Sequence, residues 1–345
     1  MKTRILPVSK DSIREACKIL QQGDLVAFPT ETVYGLGGLG LRSESIRKIF
    51  EAKGRPSTDP LILHLPSPDL KWAVESRVVG TPVSELAHIL ASTFWPGPLT
   101  MILPRGSATP REVTAGLDTV AVRYPAHPAT RELLTALQEP LAGPSANRFG
   151  RISPTDAQAV LEELEGKIPL ILDGGECSTG IESTVISLAS TTPTILRPGA
   201  ISATEISQAI GCNVVTLNCS LNEKTPAISP GSLGSHYAPR TPLYISNRPI
   251  EYFDPPYQYI LFTSKNSTPL THVRILAQEG KPEVAAQNLY RTLRECDSLG
   301  APAILVDPIP DSPLAPALRD RITRASSGTA EWRNGGWIFT ARKKN

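Results

Sequence analysis

What this sequence has little of narrows its class before any motif is read. Its five cysteines, Cys17, Cys177, Cys212, Cys219 and Cys296, contain no C-x-x-C pair, so neither a zinc site nor a disulfide framework is indicated and reduced thiols are expected. An excess of one charge is also missing. A formal net charge of +2 over 345 residues gives no broad footprint for nonspecific nucleic-acid binding and leaves room only for a local basic patch. No apolar run approaches the span a bilayer requires, and the start, Met1 to Pro7, turns polar too early for a signal peptide. A cytoplasmic protein without membrane contact is expected. There is no Walker A sequence, G-x-x-x-x-G-K-[ST], so any use of ATP needs another cradle. Neither a Ser-His-Asp order nor a conspicuous carboxylate pair points to hydrolysis.

What is present is organised around residues 25–65. Two apolar runs, Leu25 to Phe28 and Leu61 to Leu65, have the length and bounding prolines of buried strands, and Ser45 to Lys53 between them has helical spacing. The loops joining them carry two hydroxyls (Thr30, Thr32), two fixed cations (Lys53, Arg55) and one imidazole (His64). In open α/β sheets such strand-end loops are where ligands sit, and this set suits an anion. Gly35-Leu-Gly37-Gly38-Leu-Gly40 also satisfies G-x-G-x-x-G, but the next strand runs into Pro66-Ser67-Pro68 without the acidic residue a dinucleotide ribose requires. The plainer reading of these glycines is a turn needing positive φ. Taken alone, His64 in its apolar strand reads as a satisfied core histidine, and Arg123 is as compatible with a surface charge as with a site.

Around this centre an α/β pattern continues. Ser9 or Asp11 caps a first helix ending at Gly23, and Thr81-Pro82 opens another that ends at Pro96-Gly97-Pro98. Leu99 to Leu103 and Thr119 to Arg123 read as strands, Pro128 to Leu137 as a helix, and Ser153-Pro154 as the start of the next helix. Leu170 to Leu172 is a strand, Ser183 to Leu188 with Thr194 to Leu196 is a hairpin, and Ser202 to Glu205 is a capping box opening a helix to Ile210. Residues 211–242 lack periodicity, and from 243 the pattern restarts. Strands are expected at Tyr259 to Phe262, Val273 to Leu276 and Ala303 to Val306, with helices at Pro282 to Cys296 and Pro313 to Ala325. The division expected is 1–210, a linker or lid at 211–242, and a small α/β domain at 243–345.

Phe28-Pro-Thr-Glu-Thr-Val-Tyr-Gly-Leu36, the K-x-R of Lys53 and Arg55, His64, and the S-x-N of Ser145 and Asn147 closely resemble the threonylcarbamoyl-AMP synthases, the YrdC-like nucleotidyltransferases. The resemblance runs through Trp95-Pro-Gly-Pro-Leu-Thr100, Thr114 to Arg123, Gly180-Ile-Glu-Ser-Thr184 and Leu196-Arg-Pro-Gly199, and spans residues 10–210. It implies a twisted open mixed sheet with flanking helices, followed by a smaller Rossmann-like domain. It also implies a reaction in which ATP, L-threonine and bicarbonate give L-threonylcarbamoyl-AMP and pyrophosphate. The product would supply a downstream complex that modifies the adenosine next to tRNA anticodons, and the enzyme itself would hold no nucleic acid stably.

On that resemblance Lys53 and Arg55 are catalytic and face the phosphates, with a magnesium ion expected to arrive with ATP. Thr32, His64, Arg123, Ser145 and Ser183 would hold threonine and its carbamate, Ser145 also lining the nucleotide side. Asp59, Thr119, Asn147, Ser153, Arg197, His236 and Tyr237 would complete the ATP side. Two departures from the family pattern stand out. Asp59 replaces the usual asparagine before Pro-Leu, as a metal-side ligand or a weakened phosphate contact. Ser232 to Ser235 replace bulky and basic residues in the segment 229–239, expected to act as a lid. The rival reading is a double-stranded-RNA or tRNA-binding protein using Arg47, Lys48, Lys53 and Arg55 without catalysis.

Overall fold

Residues 2–217, 236–263 and 270–342 are described by a computed structural model in which the chain divides into two compact units. The first comprises Met1–Phe149, Ser153–Ser178 and Glu182–Leu233, and the second Gly150–Ile152, Thr179–Ile181 and Gly234–Asn345. The first unit runs β1 (Arg4–Pro7), α1 (Lys10–Gln21), β2 (Val26–Phe28), β3 (Gly35–Leu39), α2 (Ser43–Lys53), β4 (Ile62–His64), α3 (Leu70–Glu75), α4 (Glu85–Phe94) and β5 (Leu99–Pro104). It continues through β6 (Thr119–Arg123), α5 (Pro128–Leu137), β7 (Leu141–Ala142), α6 (Ala157–Leu164), β8 (Leu170–Asp173), β9 (Thr184–Ser187), β10 (Thr194–Arg197), α7 (Ala203–Ile210) and β11 (Val215–Thr216). These strands form one mixed sheet of order β1-β8-β2-β3-β7-β4-β6-β5-β9-β10-β11.

Strand alternation covers both faces of this sheet, as a period of two requires. On one side Leu25, Ala27, Leu63 and Ile171 pack with Ile46 and Ile49 of α2. On the other, Val26, Phe28, Leu170 and Leu172 pack with Leu20 of α1 and with Leu133 and Leu134 of α5. The amphipathic helix α1 is capped as expected by Ser9, with Ser12 reciprocating in place of the usual glutamate.

The glycine run is the clearest difference from the sequence reading. Gly35–Leu39 is no turn but a fully buried strand, antiparallel to β2 with Gly35 opposite Phe28. None of Gly35, Gly37, Gly38 and Gly40 has a positive φ. They are glycines because of close approach: a Cβ on Gly35 would lie 2.6 Å from Phe28 Cζ, and one on Gly40 2.6 Å from Leu63 Cδ2. Two helix starts also move. The helix expected from Thr81-Pro82 begins at Glu85 after Ser84, and the one expected from Ser153-Pro154 begins at Ala157. Asp156 is its N-cap, accepting from Ala159 N, while the Ser153 hydroxyl turns to Glu182.

The second unit runs β12 (Leu243–Ser246), β13 (Gln258–Leu261), β14 (Val273–Ile275), α8 (Pro282–Ser298), β15 (Ile304–Val306), α9 (Ala315–Ala325), β16 (Gly328–Arg333) and β17 (Gly336–Ala341). Its sheet has the order β14-β13-β15-β12-β16-β17, parallel except for the last pair. The closing hairpin is absent from the sequence reading although Asn334 and Gly335, both at positive φ, are the turn pair such hairpins prefer. Gly150–Ile152 is held in this unit by the Arg151–Asp297 ion pair at 3.1 Å and by Ala238 N donating to Gly150 O. Among the described residues no helix is long and apolar enough to cross a membrane.

Replacing Gly35 with alanine tests the close-approach account. Gly35→Ala is expected to lower unfolding stability by about 1–3 kcal/mol through overpacking against the Phe28 ring. Phe28→Leu in the same chain should recover part of that loss in urea denaturation. Purely additive losses in the double variant would contradict it.

Candidate active site

Lys53 ends α2, where Gly54 turns the chain out in the left-handed conformation. Its Nζ donates to the carbonyl oxygens of Ser145 and Asn147, and its own carbonyl accepts from Phe149 N at 2.9 Å. The S-x-N loop is thus wrapped onto the lysine by its backbone. Burial, and next the Arg55 charge, hold the Lys53 ammonium well below the usual lysine range. Arg55 is equally enclosed: its Nη2 lies 2.9 Å from Asp59 Oδ1 and donates to Pro60 O at 2.7 Å, while Nε reaches Asp59 O at 3.3 Å. Asp59, read from sequence as a metal ligand or a weakened contact, is in this structure the partner of Arg55. The β4–β6 register sets Ile62 opposite Ala121, which places Thr119 at this same end of the sheet.

At the other end of β4 and β6, His64 stands opposite Arg123. Arg123 is buried, with Nε donating to Gly97 O at 3.1 Å, Nη1 to Thr32 Oγ1 at 2.9 Å and Nη2 to Glu31 Oε1 at 2.6 Å. Three of its five N–H groups are therefore used. Burial alone would raise the Glu31 carboxyl, but the Arg123 charge and hydrogen bonds from Arg123 and Ala126 N hold it below the usual range. The threonine pair is directional. Thr30 gives its hydroxyl proton to Val33 O, so Thr32 donates to Thr30 and presents its oxygen to Arg123.

His64 lies edge-on to Phe28 at 5.4 Å, and its Nε2 is 3.2 Å from Gly143 O. A carbonyl only accepts, so Nε2 carries the proton. Burial, and next the Arg123 charge, bring the imidazole down to about 3, so the ring is neutral. Its Nδ1 is a buried lone pair with no hydrogen-bond partner among the described residues. An acceptor of this kind costs stability unless something donates to it.

Further along the sheet Ser183 Oγ lies 2.8 Å from Thr100 Oγ1 and accepts from Arg197 Nη2 at 3.0 Å, while Arg197 Nε and Nη2 also donate to Ser183 O. Ser153 donates to Glu182 Oε1 at 2.6 Å. Glu31, Thr100 and Glu182 were not singled out from sequence. Each touches a residue that was: Glu31 meets Arg123, Thr100 meets Ser183 and Glu182 meets Ser153. His236 and Tyr237 belong to the second unit. Tyr237 is fully buried there, 4.2 Å from the His236 ring, stacked on Tyr290 at 5.7 Å, with Arg321 over its face at 5.4 Å. Residues 229–235 of the expected lid lie outside the described residues.

The RNA-binding alternative keeps only Arg47 exposed. Of its four basic residues Lys53 and Arg55 are buried and bound by the protein, and Lys48 sits 3.6 Å from Asp24 and 3.9 Å from Glu44.

A mixed sheet with a buried K-x-R and S-x-N cradle defines a YrdC-like α/β unit, and comparison with known proteins agrees. A family profile described as "Telomere recombination", covering Sua5, YciO and YrdC, matches residues 18–199, and one described as "Threonylcarbamoyl-AMP synthase, C-terminal domain" matches residues 201–327. Curated proteins named threonylcarbamoyl-AMP synthase are similar over nearly the whole chain. That of Pyrococcus abyssi is 38% identical over 91% of this chain and 94% of its own length, and that of Bacillus subtilis is 38% identical over 94% and 95%. A crystal structure of P. abyssi Sua5 complexed with L-threonine superposes with a TM-score of 0.85 at 36% identity, covering 96% of this chain and 100% of that one. The chain belongs to the threonylcarbamoyl-AMP synthase family.

The neutral His64 predicts a pH dependence. Its folded pKa lies below the usual imidazole value of about 6.5, so the unfolded chain takes up the proton first. Stability therefore falls as pH drops from about 6.5 toward 3, by up to about 1.4 kcal/mol per pH unit. His64→Gln should flatten that slope in urea midpoints, and an unchanged slope would reject the neutral, buried assignment.

Proposed function

We propose that this protein makes L-threonylcarbamoyl-AMP from L-threonine, bicarbonate and ATP, releasing pyrophosphate, to supply threonylcarbamoyladenosine modification of tRNA. The observation that carries the reading is the pair of buried cation clusters on one sheet: Lys53 and Arg55 where β4 begins, and Arg123 with Thr32 and His64 where β4 and β6 end. The first suits a polyphosphate, and the second an amino acid. A cytoplasmic setting and hand-off of the product to a downstream transfer complex belong to the same proposal.

Threonine's neutral amine joins bicarbonate to give a carbamate and water. A carbamate oxygen then attacks the α-phosphorus, and pyrophosphate leaves with the broken bond's electron pair. No protein nucleophile is needed; the demand is for alignment and for charge to meet the leaving phosphates. Lys53 and Arg55 answer that demand, whereas Arg197, expected with them, is carried by the β10–β9–β5–β6 register to the Arg123 end of the sheet, where it holds Ser183. Ser145, Asn147, Thr119 and Ser153 line the nucleotide with uncharged groups, and Asp59 flanks the phosphates. The two N–H groups left on Arg123 face the threonine carboxylate, Thr32 and Ser183 lie along the side chain and carbamate, and the His64 lone pair accepts from a substrate N–H or O–H.

Among the described residues no group of three or more His, Cys, Asp or Glu is arranged to hold a metal ion. A magnesium ion fits here only in the company of the triphosphate, with the Asp59 carboxylate as a protein oxygen beside it. Bound with ATP, it would neutralise phosphate charge.

Pyrophosphate release tests the reading: it should require threonine and bicarbonate together with ATP. Arg55→Ala, folded by circular dichroism, should lose about a hundred- to a thousandfold in rate, as charge stabilisation at phosphate is removed. Near-normal rates would reject its role. Serine should be the poorer substrate by about 1–3 kcal/mol in kcat/KM, the worth of one methyl in a fitted pocket. Equal turnover of serine, alanine and threonine would contradict the small polar lining of Thr32 and Ser183.

A further inference from the structure

The one ion pair in the described phosphate cradle has a cost for the ligand it is read to bind. Arg55 and Asp59 side chains are only 4% and 0% exposed, and they meet at 2.9 Å. The loop is wound to make this contact: Asp59 N donates to Pro56 O, and the Arg55 guanidinium also takes the carbonyls of Asp59 and Pro60. Arg55 therefore enters the reaction with its charge already matched. Lys53, beside it, is the other cation, and its ammonium is held low by burial and by Arg55. A polyphosphate brought to this cradle meets a buried carboxylate as well as two cations.

Resting on the proposed function, we propose that Asp59 is a built-in counter-ion to Arg55 that makes the phosphate side discriminate metal-bound from metal-free polyphosphate. A metal-free polyphosphate has to share Arg55 with the Asp59 carboxylate, and two anions on one guanidinium repel at short range in a poorly solvated site. A polyphosphate carrying a divalent cation brings positive charge for Asp59 to face. Arg55 can then turn to phosphate without leaving a buried carboxylate unmatched. Asp59 acts through Arg55 and is a positioning residue. An asparagine at this position keeps the carbonyl acceptor for Arg55 and removes the competing charge.

The test is calorimetric titration of the full chain with pyrophosphate at fixed ionic strength, once with excess magnesium and once with EDTA. The wild-type chain should bind the magnesium form at least about tenfold more tightly, the size of one screened charge interaction. Asp59→Asn should gain about tenfold for metal-free pyrophosphate and bring the ratio toward one. A merely structural role would weaken both forms together and leave the ratio unchanged, which overturns the inference. If Asp59→Asn does not fold, the wild-type ratio decides alone: a tenfold gap supports the inference and equal affinities overturn it. Absence of binding in both conditions would instead overturn the phosphate-site reading on which it rests.

Discussion

Four buried cations set the terms for the first unit. Lys53, Arg55, Arg123 and Arg197 are each at most 7% exposed, and a buried charge left unmatched is costly enough to unfold a domain. Each is met by oxygen from a different loop. Ser145 and Asn147 carbonyls hold Lys53, Asp59 and Pro60 hold Arg55, Glu31 and Thr32 hold Arg123, and Ser183 holds Arg197. The obligation runs both ways, because each cation fixes the loop that satisfies it. These loops are thereby ordered by the protein's own contacts.

The sheet spaces these charges. β4 and β6 run in parallel, so Thr119 and the Asp59–Pro60 turn share one end and His64 and Arg123 share the other. From Thr119 to Arg123 is about 13 Å at 3.3 Å per strand residue, a span that suits a nucleotide phosphate at one end and an amino acid at the other. The neighbouring strands β5 and β9 bring Thr100 and Ser183 alongside, through the pairing of Leu99 with Thr184. Gly35 in β3 and Gly40 just after it leave room for the Phe28 ring that meets His64 and for Leu63 beside it.

Much of this was legible in the sequence where one chemical signal acted alone. The apolar strands beside polar loops marked β2 and β4, helical spacing marked α1, α2 and α5, and the cations at strand and helix ends marked the site. What was misread had two signals in conflict. Gly35 to Gly40 carries the composition of a turn, yet its burial against Phe28 makes it a strand, a tertiary requirement that local propensity does not reveal. Ser153-Pro154 has the composition of a helix start, but Ser153 is bound to Glu182 and Asp156 caps the helix. Short strands such as β7 and β11, two residues each, have no periodicity to read. Glu31 sat inside a recognised motif and passed unnoticed because the need for a counter-ion appears only once Arg123 is seen to be buried.

The account's central claim is that these buried, protein-bound cations are the ones substrates meet. A crystal structure of the full chain with L-threonine and a non-hydrolysable ATP analogue tests it most directly. The account predicts the threonine carboxylate within hydrogen-bond distance of Arg123 and the phosphates against Lys53 and Arg55, with His64 Nδ1 accepting from the ligand. Ligand density elsewhere, with all four cations still in their present pairings, would contradict it.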